Sequence, residues 1–436
     1  MPTPPSRTVA RLFAAALVVA PAALGSASPS SATSPSTWPA AARPTPEPPV
    51  IADPVPELDP PITAVGTGSA RSAGRPTAAR ADDPLRLHSR PGSPHTIYLD
   101  FDGSDLGSTK WAELPNTPES AVVPAFDTDG RPGLSIWEAG LVEGIWHHVA
   151  EDFAPFDVDV TTEEPPAAAL SRSGAGDPTY GTTVVFAHDN WVRQWCRGCS
   201  GVAYVGVYSG AGTDPWRQAL VFPDFMTKRV VQTYGVGDIA RVIGTTASHE
   251  VGHQLGLHHD GLRASSPRGA MPYNPGRAPW GPIMGSTSQV LTRWAGPDAA
   301  YTDNPEDDLA VIGSQLGLVP DELPNLPLLP GVPLSGVISS AEDTDTYLVT
   351  PLTRSEVVVV PDEPFANLDV VLEVTDVLGR SSLVAPVTRL RAGRLSGLGA
   401  TTSLLPGGVY QVTVRGGETP GVGRYGSLGR YTVQLR

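Results

Sequence analysis

Apolar residues recur at every fourth position between 134 and 153, at Trp137, Leu141, Ile145, Val149 and Phe153. That spacing predicts a long helix with a buried stripe. Short alternating or wholly apolar runs around it predict strands. Residues 95–102 place Ile97, Leu99 and Phe101 on one face, and further strands are expected at 156–160, 183–187, 201–208 and 219–222. Ile239, Val242, Ile243 and Thr246 give a second helix, 239–257, its apolar side, with Asp238 as N-cap. A last helix is expected to start with Asn304 as cap and Pro305 in the first turn, and to end near Gly317. Residues 91–320 thus read as one α/β domain. After the Pro/Leu-rich linker 321–333 the pattern changes to short strands separated by Gly, Asp and Pro, at 346–350, 356–360, 368–374, 409–414 and 431–435. Such a run predicts an all-β sandwich over 334–436.

The first residues carry no such pattern. Arg7 and Arg11 flank a short apolar run, 12–24, that Pro21 interrupts, and Gly25, Ser26 and Ala27 follow. This is the layout of a signal peptide, 1–27, and the run is too short to span a bilayer. Residues 28–90 are rich in Pro, Ala, Ser and Thr and cannot bury enough surface to fold alone. They read as a disordered linker or as a propeptide removed on activation. A secreted, extracellular monomer without stable membrane anchoring is expected. The 436 residues carry a net charge of −15, which argues against nucleic acid or an anionic membrane as partner. Lysine occurs only at Lys110 and Lys228, while Ala, Gly, Pro and Arg abound, a bias that fits a GC-rich, actinobacterial genome.

Two cysteines, Cys196 and Cys199, stand in Trp-Cys-Arg-Gly-Cys. A redox pair would resemble this, yet a strand follows rather than the helix whose N-terminus lowers a thiol pKa. Half a zinc ribbon would need a second pair. A small structural disulfide in an exported protein is the expectation.

The richest chemistry lies at 249–260, His-Glu-Val-Gly-His-Gln-Leu-Gly-Leu-His-His-Asp. His249 and His253, four apart on a helix, share one face and can grip one ion. Glu250 can reach a metal-activated water as general base. Gly256 lets the chain leave the helix through a left-handed turn that other residues resist. The turn brings His259, rather than His258, back as third ligand. Three protein ligands leave a coordination position open, as in catalytic zinc sites.

These residues, with Gly281-Pro282-Ile283-Met284-Gly285 after them, resemble the metzincin zinc peptidases, and Asp260 resembles the reprolysin/adamalysin branch. The resemblance runs from about residue 95 to 318. It implies a mixed five-stranded sheet with long helices, Met284 in a turn beneath the metal, one catalytic Zn²⁺, and zinc metalloendopeptidase activity on protein or peptide substrates. It further implies that strand 201–208 is the cleft edge, where substrate backbone adds as a strand along Val202, Ala203, Tyr204 and Val205, and that residues 285–294 line the pocket. Residues 341–347, 367–372 and 425–431 resemble the bacterial pre-peptidase C-terminal domain, some members of which bind calcium; Asp343 and Asp345 are the candidates for Ca²⁺ here. A different class stays open: an extracellular adhesion or polymer-binding protein on a peptidase scaffold, with the sandwich as main actor.

Overall fold

The computed structural model describes residues 50–54, 83–114, 121–187, 199–223, 236–277, 279–286, 289, 291–321, 324–362, 365–378, 388–391, 398–418 and 423–436. The expected signal peptide lies outside them.

The first half runs through β1 (Val50–Pro54), β2 (His95–Asp100), β3 (Ser104–Asp105), β4 (Val122–Val123), α1 (Ile136–Asp152), β5 (Asp159–Thr161), α2 (Ala167–Leu170), β6 (Tyr180–Phe186), β7 (Cys199–Tyr204), β8 (Gln218–Val221), α3 (Val236–Gln254), β9 (Trp280–Pro282), β10 (Leu291–Arg293) and α4 (Asp308–Leu316). The main sheet is mixed, in the order β1-β7-β8-β6-β2-β5. Strands β5, β2, β6 and β8 are parallel, and β7 runs antiparallel to β8. These are the five expected strands. The sixth, β1, comes from within the segment expected to be disordered and pairs antiparallel with the outer edge of β7. Val50 stands opposite Tyr204, Ala52 opposite Val202 and Asp53 opposite Gly201, with an irregularity before Pro54, which has no N–H to contribute.

Helices α1 and α3, of 17 and 19 residues, bury Leu141, Ile145, Val149, Ile239, Ile243, Ala247 and Val251 in one core with Ile97, Leu99, Val184 and Phe186 of the sheet. A capping box fixes the start of α1: Ser135 accepts from the Glu138 N–H, and Glu138 accepts from the Ser135 N–H at 2.8 Å. Trp137, expected on the buried stripe, is 42% exposed. Residues four apart drift by about 40° per step on a helix, so a row of five cannot all face one core.

Several boundaries also differ from expectation. Helix α3 starts at Val236, so Asp238 lies inside its first turn and is not its cap. It ends at Gln254 rather than 257, because Gly256 turns left-handed at φ +101°. The cap of α4 is Asp307, which accepts from the Ala310 N–H. Asn304 instead accepts from the Glu306 N–H and donates to the His258 carbonyl. Strand β7 stops at Tyr204, short of 208, where a turn at Val205 and Gly206 follows, Gly206 at φ +72°.

The second half forms two sheets from β11 (Leu326–Pro327), β12 (Leu334–Ile338), β13 (Thr344–Val349), β14 (Ser355–Pro361), β15 (Val370–Asp376), β16 (Thr388–Arg391), β17 (Leu398–Leu404), β18 (Tyr410–Gly416) and β19 (Gly429–Leu435). Their orders are β11-β13-β18-β15 and β12-β19-β14-β17-β16. Alternate residues point inward, as Tyr410, Val412 and Val414 of β18 and Tyr431, Val433 and Leu435 of β19 do.

This sandwich is docked on the first half through buried polar groups. The Arg430 N–H donates to Glu151 at 3.2 Å, and its guanidinium to the Ala150 carbonyl at 2.7 Å. A Cβ at Gly429 would lie 2.0 Å from the Glu151 carboxylate, so only glycine permits that approach. Tyr425 accepts from the Leu309 N–H at 2.9 Å and donates to Asp307. Arg293 meets Asp369 at 3.2 Å.

Candidate metal centre

Helix α3 presents His249 and His253 one turn apart. The chain then reverses: the Gly256 N–H donates to the His253 carbonyl at 2.8 Å and the Leu257 N–H to the Gly252 carbonyl at 2.9 Å. This left-handed exit carries His259 back toward the helix. One ligand atom from each of His249, His253 and His259 lies within 4.8 Å of the others.

The other ring nitrogen of each helical histidine is committed. His249 Nδ1 donates to the Ile283 carbonyl at 2.6 Å, and His253 Nδ1 to the Leu257 carbonyl at 2.8 Å. Each bond fixes the tautomer and leaves Nε2 as the lone-pair donor, the arrangement that metal-ligating histidines need. His253 Nε2 and His259 Nε2 stand 3.1 Å apart. Two nitrogens on one tetrahedral zinc at about 2.05 Å would be about 3.3 Å apart, so the residues present fit zinc.

His258 turns the other way. Its Nδ1 meets Glu306 at 2.7 Å, its N–H donates to the same carboxylate at 2.8 Å, and its side chain is 59% exposed.

Glu250 is fully buried, with its carboxylate against the backbone of β7. A Cβ at Gly201 would lie 2.1 Å from Glu250 Oε1. The candidate base therefore touches the strand that pairs with β1. Met284 is fully buried beneath α3: a Cβ at Gly252, between the two helical histidines, would meet its sulfur at 2.5 Å. The turn holding Met284 is tied to the third histidine, since the Asp260 N–H donates to the Met284 carbonyl at 2.7 Å. Asp260 itself is buried and accepts weakly from Thr302 at 3.5 Å. Burial pushes its carboxyl up to about 7, partly offset by the nearby His249.

Val202, Ala203, Tyr204 and Val205 are all buried, Tyr204 beside the ring of Trp111. The backbone edge of β7 at these residues is the one that pairs with β1. Of the expected pocket stretch, residues 287, 288 and 290 lie outside the described residues, as does Cys196, the expected partner of Cys199. Asp321, Asp343 and Asp345 come together, but Asp343 accepts from the Ser339 N–H and hydroxyl and Asp345 from the Tyr431 hydroxyl, so protein donors serve both. Asp127 likewise closes a turn on the Asp129 and Gly130 N–H groups.

Sequence reasoning missed four contributors. Gly201 is one; a glycine within an apolar strand is the usual signal of close approach. Tyr273 packs its ring 4.4 Å from that of His259. The Ile283 carbonyl, which orients His249, has no side-chain signature. Asp152, on α1, accepts from Ser248 at 2.7 Å, immediately before the first histidine of the motif.

Among the described residues, no helix is long and apolar enough to cross a membrane. Among curated proteins none matches this chain. Among solved structures, the pre-peptidase C-terminal domain of a collagenase from Bacillus anthracis is 14% identical, with a TM-score of 0.19, covering 27% of this chain and 98% of that one. PliG from Salmonella Typhimurium, a periplasmic lysozyme inhibitor of g-type lysozyme, is 22% identical, with a TM-score of 0.16, covering 26% of this chain and 99% of that one. Residues 161–260, from the end of β5 through Asp260, match the model of metallo-peptidase family M12B, reprolysin-like, and the three histidines and Glu250 all lie within this matched stretch.

Proposed function

We propose that this chain is a secreted zinc endopeptidase in which His249, His253 and His259 hold the metal and Glu250 is the general base. The observation that carries this reading is the convergence of the three imidazoles, two with Nδ1 committed to backbone carbonyls, beside a buried glutamate on the same helix. When bound, zinc supplies a Lewis acid for the scissile carbonyl and lowers the pKa of water to about 7. Glu250 takes the proton of the attacking water and delivers it to the leaving amine. Met284 fills the space under the helix between its two histidines and keeps the floor of the site dry.

Substrate backbone adds to β7 as a strand. The antiparallel pairing of β1 with that edge supports this mode, because a segment of the chain itself already adds there. The part of 28–90 that carries β1 then acts as a propeptide; residues 87–89, which bond to Val160 and Thr162 in and beside β5, stay with the domain, and removal of the chain before residue 83 frees the edge. The Cys196–Cys199 bridge holds the turn leading into β7.

Glu250→Gln tests the reading. The amide cannot accept a proton, so proteolysis of a quenched peptide falls roughly a hundredfold or more, while zinc content stays near one per chain. Near-normal turnover in this variant would place the base elsewhere.

A further inference from the structure

A hydrogen-bonded network joins the sandwich to the helix that bears His249 and His253. Asp152, at the C-terminal end of α1, is 2% exposed and is the meeting point of three parts of the chain. Its Oδ2 accepts from Ser248 Oγ at 2.7 Å, on α3. Its Oδ1 accepts from Thr292 Oγ1 at 3.1 Å, on β10, and from Asn367 Nδ2 at 2.7 Å, in the sandwich. Its carbonyl accepts from Trp294 Nε1 at 2.7 Å. Asn367 is itself buried, and its Oδ1 accepts from the Thr292 N–H at 3.1 Å. Its carbonyl accepts from Arg293 Nη2 at 3.2 Å.

Two hydrogen-bonded routes therefore run from Asn367 to the first histidine of the motif. One passes through Asp152 to Ser248, the residue before His249. The other passes along β10: Asn367 holds Thr292 and Arg293, the Arg293 carbonyl accepts from the Ile283 N–H at 2.9 Å, and the Ile283 carbonyl accepts from His249 Nδ1 at 2.6 Å. No apolar contact could do the same, because each link sets a direction as well as a distance.

We infer that Asn367, carried by the C-terminal sandwich, is a positioning residue for the metal centre, orienting His249 through Asp152 and Ser248 on one side and through β10 and the Ile283 carbonyl on the other. The metal site is then completed by both halves of the chain, and the sandwich is part of the enzyme rather than an attached binding module. The inference rests on the zinc reading of the three histidines.

The test uses the full chain with Asn367→Ala, Ser248→Ala and the double variant. Zinc affinity is measured by chelator competition on stripped protein, together with kcat, KM and the melting temperature of the zinc-free forms. Groups that orient metal-ligating histidines shift metal affinity or activity by about 10- to 100-fold. Asn367 acts one link further out, so about tenfold weaker zinc binding is expected, with kcat reduced and KM unchanged. Ser248→Ala leaves the sandwich interface intact and should show a loss even if Asn367→Ala folds poorly. Because the two share the Asp152 link, the double variant should lose less than the product of the single losses, while Asn367→Ala should lose more than Ser248→Ala through the additional β10 route. Asn367→Ala protein that melts lower but binds zinc and turns over within twofold of wild type would overturn the inference. So would unchanged zinc affinity in Ser248→Ala. A wild type that takes up no zinc would instead remove the proposed function itself, and this inference with it.

Discussion

Replacing Gly201 by alanine probes the contact between the candidate base and strand β7. The added Cβ would lie 2.1 Å from Glu250 Oε1, 2.7 Å from its Cδ and 2.8 Å from its Cγ. Ordinary contact begins near 3.4 Å, so the carboxylate must retreat by about 1.3 Å. Strand β7 cannot easily yield instead, because β8 and α3 back it and its side chains are buried. A displacement of about 1 Å in a reacting group can cost about a hundredfold in rate, or about 2.7 kcal/mol in barrier height. The histidines are untouched, since their orientation comes from the Ile283 and Leu257 carbonyls. Gly201→Ala should therefore keep its zinc and lose about two orders of magnitude in kcat. Stopped peptide-cleavage assays alongside metal analysis read both quantities. Turnover within threefold of wild type would mean that Glu250 does not work from this position, and the geometric argument would fall.

Three further outcomes are expected. His259→Ala should weaken zinc binding far more than His258→Ala, because His258 is turned to Glu306; parallel titrations decide this, and a larger loss for His258→Ala would reverse the assignment. Chain beginning at residue 83 should cleave peptides about tenfold or more faster than chain retaining 28–82, since a tethered strand competes at millimolar effective concentration; equal rates would show that β1 does not obstruct the edge. Burial raises the Asp152 carboxyl to about 7, against partly offsetting hydrogen bonds from Ser248, Asn367 and Thr292. The folded state therefore keeps a proton that the unfolded chain has released, and stability from this group, about 4 kcal/mol at most, is present below pH 4 and is lost as pH rises through 7. Asp152→Asn should remove that slope, which urea unfolding of zinc-free protein at pH 4.5 and 7 would show; an unchanged slope would refute it.

The sequence made the local parts of the site legible and left the long-range parts hidden. His249, Glu250, His253, Gly256 and His259 fall within eleven residues, so helix geometry and one left-handed glycine relate them almost without reference to the rest of the fold. The order of strands and helices was equally readable, because period-two and helical patterns are local. What could not be read depends on pairing across long separations. Asn367 reaches Asp152 over 215 positions, and β1 reaches β7 across 145 or more; no spacing rule encodes either. Composition misleads at β1 in particular, since a Pro-rich segment needs no core of its own when an existing sheet edge supplies its hydrogen bonds. Caps were misassigned where two candidates lay close together, as Asn304 and Asp307 do, because only tertiary contact decides which one ends up at the helix.

The docking of the sandwich also changes what a broken linker would mean. The expected linker 321–333 is in part built into the sandwich, as β11, and the chain between α4 and β11 is the covalent join, yet Asn367, Asp369, Tyr425, Gly429 and Arg430 hold the halves together without that join. From Leu326 onward the connection is already paired with β13 and packed into the sandwich core, so a proteolytic cut would fall between α4 and β11. After such a cut the two fragments would migrate separately on a denaturing gel yet travel as one particle in native chromatography. Two bands would then signify an aged enzyme, not a dismantled one.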